Sequence, residues 1–104
     1  MNSRQKGARG EREFRDYLRE RGIEARRGQQ FSGSPDSPDV ISSLSGVHWE
    51  VKRVERLEIH KAIEQAQRDA GDKLPVVAFK ANRKDWLAIL PMDKLMDLLG
   101  KGTA

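Results

Sequence analysis

Two carboxylates and a lysine stand at a spacing that suits phosphate chemistry. Asp39 follows Pro38 directly, and Glu50 and Lys52 come later, two positions apart on a predicted strand. Strand residues two apart project from the same face, with Cα atoms roughly 6.5–7 Å apart, so both side chains can address one reacting group. If the Asp39 strand pairs with this one, the two carboxylates lie close together and repel unless a cation sits between them. Mg²⁺ suits such a position, because it binds one or two carboxylates while keeping water and phosphate oxygens.

Glu11 is a third candidate acid, on a predicted helix whose apolar face includes Phe14 and Leu18. On a helical wheel Glu11 lies roughly 65° from the centre of that face, whereas Glu13 lies roughly 95° away. The wheel therefore predicts that Glu11 borders the buried face and can aim at the sheet, while Glu13 points more towards solvent.

Each of these residues also has a structural interpretation that the residue pattern leaves open. An aspartate after a proline, such as Asp39, is typical of a residue that caps a turn. Glu50 and Lys52 can form an exposed ion pair on a half-solvated strand. Glu11 can pair with Arg15 one helical turn later.

Other side chains of chemical interest are predicted to have structural roles. His48 and His60 are expected at the surface. Two histidines without a cysteine give no metal-ligand spacing, so neither is a candidate ligand. Trp49 and Trp86 are expected in or beside the core. The absence of cysteine excludes a disulfide framework, a thiolate zinc site, an iron–sulfur cluster and a cysteine nucleophile.

The elements that must position these residues follow the order αβββαββα, which predicts an α/β domain. Gly22, Gly71 and Gly100 are expected to end the helices. The predicted helices span 8–21, 57–70 and 92–99, and the strands span 23–27, 39–42, 47–54, 75–79 and 85–90. Residues 1–6 are expected to be a flexible basic lead-in, and 28–38 a mobile loop of glycine, serine and proline.

The charge is concentrated at one end of a chain of 104 residues, a length that predicts one domain. Residues 1–30 hold nine basic and five acidic side chains, whereas 31–104 hold eleven of each. This basic excess, mostly arginine, favours a polyanionic partner or, alternatively, a solvated helix face with internal ion pairs. No apolar run approaches the ~18 residues of a membrane span, and no signal peptide is recognisable, so we expect an intracellular protein without membrane contact.

Taken in order, these pieces resemble the PD-(D/E)xK nuclease motif. Within that superfamily the chain is most similar to the archaeal-type Holliday junction resolvases and their phage relatives. The matching stretches are Lys6-Gly7-Ala8-Arg9-Gly10-Glu11-Arg12-Glu13, the Ser-Gly-Ser loop before Pro38-Asp39-Val40, Glu50-Val51-Lys52, and the 75–80 strand leading to Trp86.

The resemblance implies a single nuclease domain over 1–104 with a restriction-endonuclease-like αβββαββ core, a mixed central sheet and a short C-terminal helix. It implies that Asp39 and Glu50 bind Mg²⁺, for which Mn²⁺ can substitute, together with the carbonyl of Val51. Lys52 would orient the attacking water and stabilise the charge that develops on the phosphate. Glu11 would hold a second metal or a metal-bound water, and Ser34 would be the active-site serine, with Ser32 as the alternative.

The implied activity is the hydrolysis of phosphodiester bonds in four-way DNA junctions by a homodimer, without a nucleotide cofactor. The DNA contacts carried over are Lys6, Arg9, Arg12, Arg26, Arg27 and Ser32. Gln65 and Gln67 lie where related nucleases often carry a polar active-site residue. Two alternatives stay open: a nuclease of other selectivity (a nickase, a flap or repair nuclease, or a restriction-like enzyme) and a basic nucleic-acid-binding module without activity.

Overall fold

Within the described part of the chain, three helices and five strands follow one another in the order that the sequence predicts. The computed structural model describes residues 3–28 and 38–101, with the side chains of residues 3–6 excepted. The helices are α1 (Ser3–Glu20), α2 (Ile59–Ala70) and α3 (Met92–Leu98). The strands are β1 (Ala25–Arg27), β2 (Val40–Ser42), β3 (Val47–Arg53), β4 (Leu74–Lys80) and β5 (Leu87–Ile89).

The strands make one mixed sheet in the order β1-β2-β3-β4-β5. Neighbours pair antiparallel except β3 and β4, which are parallel and joined by α2. A parallel pair needs such a crossover, and the crossover helix covers one face of the sheet. The β2–β3 pairing, with Val40 opposite Trp49, brings the strand after Pro38 beside the Glu50 strand.

The helix α1 covers the other face. Phe14 and Leu18 are buried there against Val40 and Ala78. The Phe14 ring lies 4.9 Å from the Trp49 ring and 5.0 Å from the Trp86 ring between centroids. Both tryptophans therefore pack beside the core, as the sequence indicates.

The helix α2 packs with small side chains. Ala62 and Ala66 are buried against Val77, with Phe79 and Ile89 alongside, and Ala70 is also buried. Small residues on a helix face allow it to approach the sheet closely. The face of β3 that carries His48, Glu50 and Lys52 therefore lies under α2 rather than in solvent.

Most element boundaries lie within two residues of the sequence prediction, and the differences in α1 and β5 have a structural explanation. The helix α1 begins at Ser3 rather than Ala8. A Cβ on Gly7 would meet no atom within 4 Å, so this position makes no packing contact that apolar periodicity could reveal. The strand β5 covers three residues rather than 85–90, because Trp86 turns into the α1 core before the strand begins.

Among the described residues, no helix is long and apolar enough to cross a membrane.

Candidate active site

Asp39 stands at the start of β2, where that strand meets β3. Its backbone N–H donates to the carbonyl of Trp49 at 3.0 Å. Its side-chain Oδ2 accepts a hydrogen bond from the N–H of Val51 at 2.8 Å. These two bonds fix the Asp39 carboxylate beside the residues that follow Trp49, which is the proximity to Glu50 that the sequence predicts.

The backbone that leads into Asp39 passes close to the backbone of Gly28. Gly28 donates its N–H to the carbonyl of Asp39 at 2.9 Å. A Cβ at position 28 would collide with the carbonyl oxygen of Pro38, so no larger side chain fits without a backbone shift. The nine residues between Gly28 and Pro38 lie outside the described residues, and they include Ser32 and Ser34.

The electrostatics of Asp39 reflect a crowded acidic environment. Burial and the charge of Glu50 raise its pKa to about 7, and the charge of Glu11 adds to this rise. The Val51 hydrogen bond and the charge of Lys52 oppose the shift only partly. A carboxylate with these neighbours is more easily ionised when a cation is bound next to it.

Glu11 reaches the same environment from α1. Its side chain is 13% exposed, against 32% for Glu13, so the helical wheel ranks the two glutamates correctly. Burial raises the pKa of Glu11 despite a hydrogen bond of 3.1 Å from Arg27 Nε. The alternative partner, Arg15, instead binds Asp16 at 2.9 Å.

Glu50 is buried on the face of β3 that α2 covers. Its Oε1 lies 3.2 Å from Nε2 of His48, and each of these residues is 2% exposed. The prediction that His48 lies at the surface is therefore wrong, whereas His60 on α2 is exposed as predicted. His48 shares strand parity with Glu50, and a crossover helix must cover one sheet face; these two signals together could have revealed the burial.

Lys52 extends from the same strand face to α2. Its Nζ donates to Oε1 of Gln65 at 3.2 Å, so the exposed Glu50–Lys52 ion pair of the alternative interpretation is not formed. Gln65 thus contacts a candidate site residue, whereas Gln67 is exposed.

The arginines expected to contact DNA fall into two groups. Arg27 is hydrogen-bonded to Glu11, and Arg9 lies 3.5 Å from Glu13. Arg12 and Arg26 are exposed. Lys6 is in α1, but its side chain is outside the described part of the structure.

The oxygen donors at this place fit a hard divalent cation. Asp39, Glu50 and Glu11 interact electrostatically, and the pKa values of Asp39 and Glu11 are raised. The N–H and C=O of one strand residue point to the same edge, so the Val51 carbonyl faces the Asp39 side. Pro38, which precedes Asp39, has no N–H to donate to that carbonyl. Mg²⁺ and Mn²⁺ prefer such carboxylate and carbonyl ligands.

A mixed sheet between helices, with clustered acids and a lysine at the β2–β3 junction, is the architecture of a metal-dependent nuclease. A sequence profile of the archaeal Holliday junction resolvase family (Hjc) matches residues 2–99, and the chain therefore belongs to this family. The family consists of metal-dependent endonucleases that cleave Holliday junctions. The family resemblance and the fold class expected from the sequence are thereby confirmed.

A solved structure supports the same assignment. The chain is similar to Hjc from the archaeal hyperthermophile Archaeoglobus fulgidus, a Holliday junction resolvase, with 27% identity and a TM-score of 0.62. The similarity covers 79% of this chain and 73% of that one. No curated protein matches the chain significantly.

Proposed function

We propose that this protein is a Mg²⁺-dependent endonuclease that cuts four-way DNA junctions as a homodimer, with Mn²⁺ as a substitute ion. The observation that carries the proposal is the electrostatic influence of Glu50, Glu11 and Lys52 on Asp39 at the β2–β3 junction. Glu11 comes from α1, Glu50 and Lys52 from β3, and Asp39 from the segment that leads into β2. Membership of the resolvase family supports the choice of substrate.

Asp39, Glu50 and the Val51 carbonyl are the proposed metal ligands, and Glu11 holds a second ion or a metal-bound water. A bound divalent ion lowers the pKa of water and neutralises charge on a phosphoryl oxygen. The Val51 N–H donates a hydrogen bond to the Asp39 carboxylate, and the pairing of β2 with β3 keeps this donor in position. Arg27 limits the movement of Glu11 through its 3.1 Å hydrogen bond.

Lys52 is proposed to orient the attacking water and to stabilise the charge that develops on the phosphate. Its bond to Gln65 uses one of three N–H donors and fixes the direction of the others. An ammonium group that is already held in position stabilises the developing charge more than a mobile one does, because no reorganisation is needed during the reaction.

The DNA contacts are proposed to come from the N-terminal part of the chain. Arg12 and Arg26 are exposed and can bind phosphate oxygens with their planar guanidinium groups. Lys6, Arg9, Arg27, Ser32 and the active-site serine Ser34 remain proposals from the family resemblance. A protein that acts on cellular DNA in this way is expected in the cytoplasm of a prokaryotic or phage-infected cell.

The homodimer is proposed because a four-way junction offers two symmetry-related strands for cutting. Large apolar side chains are exposed near the C-terminal end of the described chain: Leu87, Met92, Leu98 and Leu99. Leu87 lies on β5, an edge strand of the sheet. These residues are candidates for the contact between two copies.

The proposal is tested with a labelled four-way junction and a matched linear duplex, each with Mg²⁺ and with EDTA. We expect paired symmetric nicks only in the junction, and only when Mg²⁺ is present. Lys52→Ala is expected to slow cutting by about 10²–10³-fold, with junction affinity in EDTA unchanged. Lys61→Ala, an exposed lysine on α2, is the matched control.

Two other outcomes contradict the proposal, and a third shows that the variant is unsuitable. Equal cutting of both DNAs shows a nuclease of other selectivity. Binding without cutting at any Mg²⁺ or Mn²⁺ concentration shows a DNA-binding module. Loss of junction binding together with cutting in Lys52→Ala shows a damaged fold rather than a lost catalytic group.

A further inference from the structure

His48 occupies a position that the proposed chemistry does not explain. The side chain is buried on β3, and its Nε2 lies at hydrogen-bonding distance, 3.2 Å, from Oε1 of Glu50. A buried imidazole must find partners for its ring nitrogens, and a buried carboxylate must find donors. Each group here satisfies the other.

A second carboxylate approaches the pair from α2. Asp69 is partly buried, and ligand atoms of His48, Glu50 and Asp69 all lie within 4.8 Å of one another. Asp69 is four residues after Gln65, so both side chains project from one face of α2 towards β3. Ala66 and Ala70, which are buried, let this face come close to the strand.

We propose that His48, supported by Asp69, is a positioning residue that fixes the Glu50 carboxylate for metal binding. This role rests on the proposed function of Glu50 as a ligand. A glutamate side chain has three rotatable bonds, and a hydrogen bond to Oε1 holds the carboxylate plane in one orientation. Nε2 faces Oε1 of Glu50 and must be the donor in this contact, because a carboxylate oxygen can only accept.

Residues of both β3 and α2 therefore position the side chains of the site. Gln65 holds Lys52, and the His48–Asp69 pair holds Glu50. Partners that orient a metal-binding side chain commonly change metal affinity by about 10–100-fold when they are removed. Glu50 is held by a residue of its own strand, and Lys52 by a residue of α2.

The test measures Mn²⁺ affinity from the electron paramagnetic resonance signal of the free ion, without DNA. His48→Leu is expected to raise the Mn²⁺ dissociation constant about 10-fold or more. His48→Gln, which keeps an N–H donor, is expected to stay within about 3-fold of the wild type. The Mg²⁺ concentration for half-maximal junction cutting should shift in parallel, while junction affinity in EDTA stays constant.

His60→Leu, at the exposed histidine of α2, is the matched control and should change nothing. Wild-type Mn²⁺ affinity in a folded His48→Leu variant overturns the proposal. If that variant does not fold, Asp69→Ala replaces it, with a several-fold weaker Mn²⁺ affinity expected and an unchanged affinity overturning the proposal.

The Glu50→Gln variant distinguishes a failure of the positioning role of His48 from a failure of the proposed ligand role of Glu50. Weaker Mn²⁺ binding in Glu50→Gln with no change in His48→Leu overturns the role of His48 alone. Unchanged Mn²⁺ binding in Glu50→Gln overturns the ligand assignment, and the positioning role falls with it. Co²⁺ bound by the wild type with a histidine-dependent visible spectrum shows His48 to be a ligand itself, which also overturns the positioning role.

Discussion

Asp39 shows how a single residue can link metal binding to stability. Burial and the charge of Glu50 raise its pKa to about 7, well above the 3.8 of an unperturbed aspartate. In the folded, metal-free protein the group is therefore protonated at pH values where the unfolded chain is already ionised. Ionisation of the folded state costs free energy until a cation is bound.

The first prediction concerns the pH dependence of the metal-free protein. Because the folded pKa is raised, the contribution of Asp39 to stability is present below about pH 4 and is lost as the pH rises towards about 7. Asp39→Asn should therefore be more stable than the wild type at pH 8 in EDTA, by the order of 1–4 kcal/mol. The difference should vanish at pH 4, and urea unfolding at the two pH values measures it.

The same variant should not cut junctions at any pH, while junction binding in EDTA persists. Addition of Mn²⁺ should stabilise the wild type and leave Asp39→Asn almost unchanged. Equal stability of the two proteins in EDTA at pH 8 would show that the Asp39 carboxylate is not held at a raised pKa.

At the residue scale, the sequence predicted the acids better than their partners. Strand parity and the helical wheel place Glu50, Lys52 and Glu11 correctly relative to the sheet, because both are local properties of backbone geometry. The burial of His48 and the contact of Lys52 with Gln65 depend on where α2 lies. Local pattern alone does not fix that position.

At the scale of elements, the contact between α1 and β3 sets the distance between Glu11 and the sheet. A Cβ at Gly10 would lie 2.5 Å from the Cβ of Arg53, so the helix and strand approach each other here as closely as a glycine allows. Arg53 then reaches Glu13 of α1 with an Nε to Oε2 distance of 2.8 Å. The close approach and the ion pair together fix the helix on the strand.

The second prediction compares two glycines of α1. Gly10→Ala should destabilise the protein by about 1–3 kcal/mol, because the added methyl group forces helix and strand apart. Gly7→Ala is the matched control: a Cβ there meets nothing within 4 Å, and alanine favours helix by up to about 1 kcal/mol. Urea unfolding of both variants measures the difference, and equal effects would contradict the close packing at Gly10.

The order of elements could be predicted because each helix and strand has its own periodicity, and each helix is followed by a glycine. Gly22, Gly71 and Gly100 all have positive φ angles, which explains why the helices end where the sequence indicates. The parallel pairing of β3 with β4, in contrast, could not be predicted from local sequence patterns. It joins residues separated by a whole helix, and no local signal specifies its register.

At the scale of the whole molecule, charge and apolar surface are concentrated at different ends of the chain. The basic excess lies within residues 1–30, a range that includes α1 and β1. The exposed Leu98 and Leu99 lie at the end of α3, with 62% and 60% of their surface accessible. The proposed DNA contacts and the candidate contact between two copies therefore come from different segments of the chain.

The third prediction tests the proposed homodimer. Leu98→Glu combined with Leu99→Glu should shift the protein from dimer to monomer in light scattering at micromolar concentration. Junction cutting should change from paired nicks to slower single nicks, because two sites no longer act on one molecule of DNA. Leu44→Glu, at an exposed leucine between β2 and β3, is the control and should stay dimeric. A double variant that stays dimeric would place the interface elsewhere.

The backbone contact between Gly28 and the Pro38–Asp39 segment has an evolutionary consequence. Both ends of the nine-residue stretch between them are fixed at one point by the Gly28 N–H bond to the Asp39 carbonyl. The entropic cost of closing a loop rises by only about 0.6 kcal/mol for each doubling of its length. Insertions there, and substitutions other than at the proposed site residues Ser32 and Ser34, can therefore accumulate without displacing the carboxylate of Asp39. Relatives of this protein can diversify in the DNA shapes they accept while the hydrolytic machinery is inherited unchanged.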